Sequence, residues 1–362
     1  MADTVTATGL RVQQWDSKFH TEYLTENRYF PAMGVGANSV IEIREDITKK
    51  PGDSVTFALV NRLKQSAVIG SAMMEGNEED MSTRSFRLYV DKRRNAVRIP
   101  EMEQIKSAID LRDAGRATLK DWALKDTESL TTEALGSING VAFSSATASQ
   151  RNAWMAANSD RVQIGKLRSN YSATHATALA NIDNTDDKLT PEAVSLMKRV
   201  ALEADPKITP VRVEERGSKR WYVMYANSRS FRDLKVNSTI VQAQREVSLA
   251  EQNNKLFEGG DIVWDGVIIK EVPDIAVVAS AGAGGITVGP VYLCGAQAIG
   301  AAYAKRWHSI TKTFDYGDKY GVAIESIMGV KKIEFGTSTT TDTGTLKDNG
   351  VVTGWFAAVA DA

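Results

Sequence analysis

Alternation of apolar with polar or small residues predicts a long β-hairpin between residues 51 and 99. A turn sequence, Pro51-Gly52-Asp53, precedes the first run, and an irregular stretch over residues 64–81 separates the two runs. The alternating apolar positions are Val55, Phe57 and Leu59 in the first run and Phe86, Leu88 and Val90 in the second. We expect these side chains to become buried only when a neighbouring molecule covers the hairpin.

Residues 101–137 carry apolar side chains at the 3.6-residue period of an amphipathic helix. Pro100 precedes the segment, Glu101 and Glu103 suit its first turn, and Gly136 is a stop signal. The apolar face comprises Met102, Ile105, Ile109, Leu119, Ala123, Leu130 and Ala134. A helix of this length spans about 50 Å, and Gly115 in its middle marks a place for a bend.

The rest of the chain mixes helix and strand patterns without a fixed repeat, which predicts the α+β class. Residues 141–189, rich in Ala, Ser, Thr and Asn, predict a surface excursion with short helical pieces. Thr190 and Pro191 start a helix that ends at Asp205-Pro206. A short helix from Ser228 precedes an Asn/Gln-rich loop, and Asp265-Gly266 is a hairpin turn. The expected strands are 221–225, 262–264, 267–269, 275–278, 314–324 and 326–335. The Thr-rich tail 336–350 is expected to form a last hairpin with residues 351–356.

Length, net charge and cysteine count limit the classes of protein to which this chain can belong. The 362 residues allow two compact domains or one domain with large insertions. The 44 basic against 45 acidic residues give no overall basic field for nucleic acid. Near-neutral charge permits dense self-association. The single cysteine, Cys294, excludes an internal disulfide and lies in an apolar run, where a buried structural thiol is expected. Neither a signal-peptide pattern nor an apolar run of about 20 residues occurs, so we expect synthesis and assembly in a cytoplasm.

Charge is segregated along the predicted hairpin. Acids cluster at its tip, and basic residues follow on its return limb. The acids are Glu75, Glu78, Glu79 and Asp80, and the basic residues are Arg84, Arg87, Lys92, Arg93, Arg94 and Arg98. The ordinary explanation is a solvated surface. The alternative is a head-to-tail contact in which one subunit's tip lies over the next subunit's stem. The candidate contact residues are Phe57, Leu59, Glu75, Glu78, Glu79, Asp80, Arg84, Arg87, Arg93 and Arg94.

Enzyme signatures are absent from the sequence. Its three histidines, His20, His175 and His308, are far apart, and no nucleophile elbow, zinc motif or phosphate-binding loop occurs. The Gly-rich residues 281–285 lack the spacing of a dinucleotide fingerprint. Asp186-Asp187 belongs to a loop that lacks the Gly and distal Glu of a calcium site. We therefore expect neither catalytic residues nor a cofactor or metal.

Two stretches resemble the major capsid proteins of tailed phages related to phage N4, which have the HK97-type fold. Within residues 231–275 the matching order is R-D-L from 232, N-K-L-F-x-G from 254 and W-D-G-V-x-I-x-E from 264. The second stretch is FDYGDKYGVAIESIMGVKKIEF at 314–335. The resemblance runs over most of the chain, although residues 141–189 show little that is familiar.

The resemblance implies five segments. They are an N-terminal arm (1–50), an E-loop hairpin (51–99), a spine helix with peripheral domain (100–210), an inserted axial domain (211–300) and a return to the peripheral domain (301–362). It also implies hexamers and pentamers in an icosahedral head around double-stranded DNA. The implied partners are other copies of the chain, a scaffolding protein, a portal and a decoration protein, with weak non-specific DNA contact and no membrane.

Three other functions remain open from the residues alone. An encapsulin-like nanocompartment shell shares the fold but houses an enzyme cargo. A hydrolase with a dispersed acidic site would be monomeric and would have a ligand-sized cleft. A tail-tube or decoration protein would form tubes or surface trimers.

Overall fold

A computed structural model describes residues 28–45, 53–60, 63, 65–71, 73–79, 81, 83–106, 111–213, 219–248, 261–336 and 346–360. Most of the expected N-terminal arm and the turn residues Pro51 and Gly52 lie outside this range. The tip acid Asp80 and the helix position Ile109 also lie outside it.

The described chain combines strands and helices. The strands are β1 (Met33–Gly34), β2 (Ile41–Arg44), β3 (Ser54–Val60), β4 (Thr83–Tyr89), β5 (Asp91–Pro100), β6 (Val162–Ile164), β7 (Val211–Val213), β8 (Lys219–Ala226), β9 (Ile262–Trp264), β10 (Val267–Glu271), β11 (Val288–Cys294), β12 (Ile299–Phe314), β13 (Lys319–Lys332), β14 (Glu334–Gly336), β15 (Leu346–Asp348) and β16 (Val351–Ala357). The α-helices are Glu101–Lys106, Leu111–Gly136, Ala148–Ala157, His175–Ala180, Pro191–Glu203, Ser228–Val236 and Ser238–Ser248.

The helix Leu111–Gly136, called the long helix below, packs on one face of a five-stranded sheet with the order β1-β2-β12-β13-β5. Mostly small residues recur about every four positions on its buried side and allow close approach to the sheet. They are Gly115, Leu119, Ala123, Thr127, Thr131 and Ala134. The stop at Gly136 is confirmed. Met102 and Ile105 are exposed, so the prediction that they belong to the core-facing side is wrong.

A second sheet has the order β6-β16-β11-β8-β10-β9, and β7 pairs with the start of β8. Strands β11 and β16 are buried throughout, as expected for central strands covered on both faces. Leu293 packs in the cluster under the helices Pro191–Glu203 and Ser228–Val236, whereas its neighbours Tyr292 and Cys294 face the core beneath the long helix. Because β6 and β16 share this sheet with β8, strand membership departs from the segment boundaries expected at residues 210 and 300.

Several local predictions are confirmed by their capping and turn geometry. The Thr190 side chain accepts a hydrogen bond from the backbone N–H of Ala193 and caps the helix Pro191–Glu203. Asp265 and Gly266 both have positive φ in the β9–β10 hairpin, as a two-residue type I′ turn requires. Strands β3 and β4 form the expected antiparallel hairpin, from the pair Ser54–Tyr89 to the pair Val60–Thr83.

Other local predictions are wrong. Residues 141–189 are not a surface excursion, because Trp154, Val162 and Leu179 belong to a buried cluster beside β16. The stretch expected to be an Asn/Gln-rich loop contains the helix Ser238–Ser248. Residues 275–278 form only an isolated bridge from Val278 to Val288.

The strands expected over 314–324 and 326–335 are also placed differently. A turn at Asp315–Gly317 separates β12 from β13, so the first of these segments spans two strands. The expected last hairpin does not form, because β16 pairs with β11 and β6 while β15 pairs with β14.

A buried charged cluster joins the end of the long helix to the sheets. Lys332 Nζ donates to the Ser137 carbonyl at 2.7 Å and to Asp348 Oδ2 at 2.8 Å, and it lies 3.9 Å from Glu334 Oε1. Trp154 Nε1 donates to the same Asp348 carboxylate. Burial raises the pKa of Glu334, so Lys332 and Asp348 are the principal charge pair.

Candidate functional site

The base of the β3–β4 hairpin is covered by its own chain. Phe57 is 5% exposed and packs with Leu88, Ile333 and Phe335. Leu59 is half-buried against the same cluster. The prediction that only a neighbouring molecule buries Phe57 and Leu88 is therefore wrong, because β14 and the end of β13 provide that cover. The hairpin base is part of the subunit core, and the surfaces open to a partner lie elsewhere.

The hairpin tip, residues 63–81, is held by local polar contacts. The Glu79 carboxylate accepts a hydrogen bond from the Gln65 backbone N–H, and the Glu78 carboxylate accepts one from the Gly76 N–H, each at 2.7 Å. Glu75 and Glu78 are exposed, and neither forms an ion pair within the described part of the chain. The tip therefore presents negative charge to solvent.

The same tip exposes apolar side chains that the sequence analysis did not single out. Ile69 is 84% exposed and Met73 is 73% exposed, with Leu63, Met74 and Met81 also open to solvent. Apolar side chains that project together into water are characteristic of interaction surfaces, and methionine adapts readily to a partner's shape. The methionines beside the acids, in the run SAMMEGNEEDM, were the available sequence signal.

The face of the five-stranded sheet that points away from the long helix carries a group of exposed basic residues. Strand register places Arg94 opposite Glu325, Arg98 opposite Gly321, and Lys312 also opposite Gly321, so these side chains share one face. Lys92 and Lys305 join them through contacts to Glu325. We call the surface formed by Lys92, Arg94, Arg98, Lys305 and Lys312 the basic face.

Glu325 organises the centre of the basic face. Its carboxylate lies 2.6 Å from Lys92 Nζ, 3.0 Å from His308 Nε2 and 3.5 Å from Lys305 Nζ. The hydrogen bond from Lys92 lowers the pKa of Glu325, so this carboxylate is ionised at neutral pH. One acid thus holds together several cations, and the surface keeps an excess of positive charge.

The structure separates the predicted basic contact residues. Arg84 is half-buried and Arg87 is exposed on β4. Arg93 points to the opposite side of the sheet, where it forms a two-bonded ion pair with Asp126 of the long helix, whereas Arg94 lies on the basic face. Only Arg94 among these four therefore belongs to the basic face. Lys305 and Lys312 were missed because they are about 200 residues away from the hairpin in sequence.

The β12–β13 turn forms a second projection at the edge of the basic face. Tyr316 is fully exposed, and Asp315, Tyr316 and Gly317 all have positive φ. Phe314 and Ile310 are also exposed along the end of β12. This turn lies inside a segment that the sequence analysis assigned to a strand.

Chemistry-bearing groups elsewhere are structural. Burial raises the pKa of the Cys294 thiol, and burial lowers the pKa of His175 to about 4. Over the described residues, no cluster of His, Cys, Asp and Glu suits a metal ion. None of the helices in those ranges combines the length and apolarity needed to cross a bilayer.

Comparisons with known proteins identify relatives whose function is assembly through surface contacts. A family model described as phage capsid protein matches residues 3–359. The major capsid protein of Pseudomonas phage KPP25 is 26% identical over 349 residues, which cover 90% of this chain and 89% of that protein.

Solved structures support the same relationship. A chain of the cyanophage Pam1 capsid asymmetric unit is 33% identical with a TM-score of 0.83, and the match covers 100% of both chains. The capsid of Ralstonia phage GP4 matches with 23% identity and a TM-score of 0.73 over 93% of each chain. The fold is thus the α+β HK97-type fold of phage capsids. The chain belongs to the phage capsid protein family and is a major capsid protein of a phage head, a structural protein rather than an enzyme.

Proposed function

We propose that this subunit forms hexamers and pentamers of an icosahedral head that encloses double-stranded DNA. In this proposal the E-loop hairpin of one copy lies across its neighbour, with the acidic, methionine-rich tip on the neighbour's basic face. The observation that carries the proposal is the complementarity of these two surfaces in charge. Head-to-tail contacts of this kind are heterologous, and they close into rings.

The chemistry favours another copy as the occupant of the basic face. Exposed Glu75 and Glu78 at the tip match exposed Arg94, Arg98 and Lys312 on the face. Near-neutral net charge over the whole chain provides little general attraction for DNA, so charge matching between copies is the stronger source of specificity. The exposed Ile69 and Met73 add apolar area that such a contact would bury.

We also propose how the layers correspond to the parts of the fold. The five-stranded sheet with the long helix is the peripheral domain and spine helix, and the seven-stranded sheet with its helices is the axial domain. In this assignment β6 and β16 belong to the axial domain although they lie outside residues 211–300. The arm remains residues 1–50 and the E-loop hairpin remains residues 51–99.

We also propose that the chain is related to the phage N4-related capsid proteins and that it assembles with other head proteins. The R-D-L and W-D-G-V motifs support placement among the phage N4-related capsid proteins. The resemblance supports a separate scaffolding protein, a portal, a decoration protein and assembly in the host cytoplasm. Co-expression of the chain with each neighbouring structural gene, followed by electron microscopy, tests which partners are required for closed heads.

Charge reversal tests the contact. The variant Glu75→Lys/Glu78→Lys/Glu79→Lys loses two local hydrogen bonds of the tip but should keep the fold of the subunit core. It should fail to form shells, because like charges would then meet at the contact. Size-exclusion chromatography and negative-stain electron microscopy measure assembly, and circular dichroism confirms folding. The control variant Asp186→Lys/Glu203→Lys reverses exposed acids away from both surfaces and should assemble normally.

The compensating variant makes the test specific. Arg94→Glu/Arg98→Glu/Lys312→Glu should also block assembly alone, and combining it with the reversed tip should restore shells. Failure of the combined variant, with both parents folded, would refute the pairing of these two surfaces. Normal shells from the reversed tip alone would refute any electrostatic role for the tip.

A further inference from the structure

A cleft of about 620 Å³ lies beside the second half of the long helix, which packs on the face of the five-stranded sheet opposite the basic face. One wall is the helix surface from Lys125 to Gly136, and the opposite wall is formed by residues 142–144 and 274–276. Its size falls within the range of clefts that bind small molecules or side chains. The two walls belong to different layers of the subunit, so an occupant would contact both.

The floor of the cleft is mainly aromatic and aliphatic. Phe143, Ile275, Pro290 and Trp355 line it. The Trp355 indole N–H is buried and has no hydrogen-bond acceptor among the described residues. A buried donor without a partner is costly, and it suits an occupant that combines an apolar ring with an acceptor oxygen, as tyrosine does.

The described chain begins at the cleft itself. Arg28 lines the cleft, and its backbone N–H donates to the Glu128 carboxylate of the long helix at 3.3 Å. The adjacent Tyr29 is fully buried, with its hydroxyl 2.8 Å from Thr132 Oγ1. The chain position immediately after residues 1–27 is therefore fixed at the cleft wall, so the side chains a few residues before Arg28 are within reach of the cleft.

The preceding sequence contains suitable side chains within reach. Trp15, Phe19 and Tyr23 recur at intervals of four residues in the sequence, the spacing at which side chains share one face of an α-helix. Tyr23 is five residues before Arg28, a span of about 7.5 Å in a helix and at most about 17 Å when extended. A tethered side chain this close has a high effective concentration at the cleft.

We propose that the N-terminal segment docks in the cleft of its own subunit, with Tyr23 and Phe19 inserted between the long helix and residues 274–276. The segment then covers the apolar floor and bridges the two layers before any shell forms. This docking is independent of the contact between the hairpin tip and the basic face, so either can fail without the other.

Site-specific photocrosslinking of the unassembled full-length subunit tests the docking. The photoreactive residue p-benzoylphenylalanine, placed at Tyr23 or Phe19, should crosslink to peptides from the cleft walls. The same residue at Ser17, which faces the opposite side of a helix, is the matched control and should crosslink much less. Mixing ¹⁵N-labelled and unlabelled chains distinguishes crosslinks within a chain from crosslinks between chains.

A cleft-filling variant gives a second, independent measurement. Ala276→Trp places a large ring at an exposed position of the cleft wall and should release the segment, whereas Ala156→Trp on an exposed helix surface should not. Trypsin cleavage after Lys18, followed by mass spectrometry, should be at least about tenfold faster in Ala276→Trp than in the unaltered protein. Thermal melting should show that both variants are folded.

Each result decides the proposal. Crosslinks from position 23 to the cleft of the same chain, together with faster cleavage in Ala276→Trp, support it. Crosslinks between labelled and unlabelled chains would overturn it in favour of an exchanged arm. Crosslinks outside the cleft, no crosslinks, or unchanged cleavage in Ala276→Trp would also overturn it.

Discussion

Replacing Lys332 with Met should strongly destabilise the subunit although the position belongs neither to the hairpin tip nor to the basic face. Lys332 is 2% exposed, and its ammonium group is bonded to the Ser137 carbonyl and the Asp348 carboxylate. Methionine keeps much of the apolar stem but loses the cation–π contact of the ammonium Nζ, which lies 5.4 Å from the centre of the Trp154 ring. The substitution therefore removes mainly the charge and its hydrogen bonds.

The expected loss of stability follows from the buried groups that lose their partner when Lys332 is replaced. Asp348, 1% exposed, would become a buried carboxylate without its cation, and the Ser137 carbonyl would lose a donor. Removing one partner of a buried ion pair typically costs about 3–5 kcal/mol. Glu334 would contribute less, because burial already favours its neutral form. Adding Asp348→Asn should recover part of the loss, since the uncompensated charge disappears.

Urea unfolding of the unassembled subunit measures these changes. With a denaturant slope of about 3 kcal/mol per molar, the midpoint should fall by about 1–1.7 M in Lys332→Met. The control Lys125→Met removes an exposed i,i+4 pair with Asp121 and should change stability by less than about 0.5 kcal/mol. A loss below about 1 kcal/mol in Lys332→Met would refute the reasoning. So would a double variant that is less stable than the single variant.

Three further predictions concern pH and backbone packing. Burial lowers the pKa of His175 to about 4, so the unfolded state binds a proton before the folded state does, and stability falls as pH drops from 6.5 to 4. The loss is up to about 3 kcal/mol. Urea titrations at each pH should show that His175→Leu lacks this dependence. Burial raises the pKa of Glu334 to about 7, so the folded state holds a proton that the unfolded state releases, and stability falls as pH rises from 4.5 to 7. Glu334→Gln should reduce this dependence of stability on pH. An unchanged dependence would contradict the raised pKa of Glu334. A Cβ at Gly329 would lie 2.1 Å from the Tyr89 carbonyl oxygen, so Gly329→Ala should cost about 1–3 kcal/mol in thermal unfolding. Gly36→Ala should be nearly neutral, because its Cβ would come no closer than 3.9 Å to another residue, at the Asn38 backbone nitrogen.

Local sequence patterns predicted elements wherever neighbouring residues decide the conformation. Thr190-Pro191 marked a helix start, Asp265-Gly266 marked a two-residue hairpin turn, and Gly136 marked the end of the long helix. The same reasoning failed where tertiary packing decides. The Asn/Gln-rich stretch forms the helix Ser238–Ser248, and the polar stretch 141–189 buries Trp154, because period and composition do not reveal which surface another layer covers.

The sequence by itself determined that the chain is α+β, that it has a hairpin with an acidic tip, and that it lacks catalytic motifs, because these properties depend on residue types and short spacings. Only the tertiary structure decided which cations form one surface. Arg94 and Lys312 are more than 200 residues apart in sequence, and they share the basic face because both β5 and β12 pair with β13. Tertiary packing likewise placed Phe57 against Ile333, and the pairing of β5 with β13 turned Arg93 away toward the long helix. Register between distant strands is selected by the fit of the whole core, and local patterns carry little of that information.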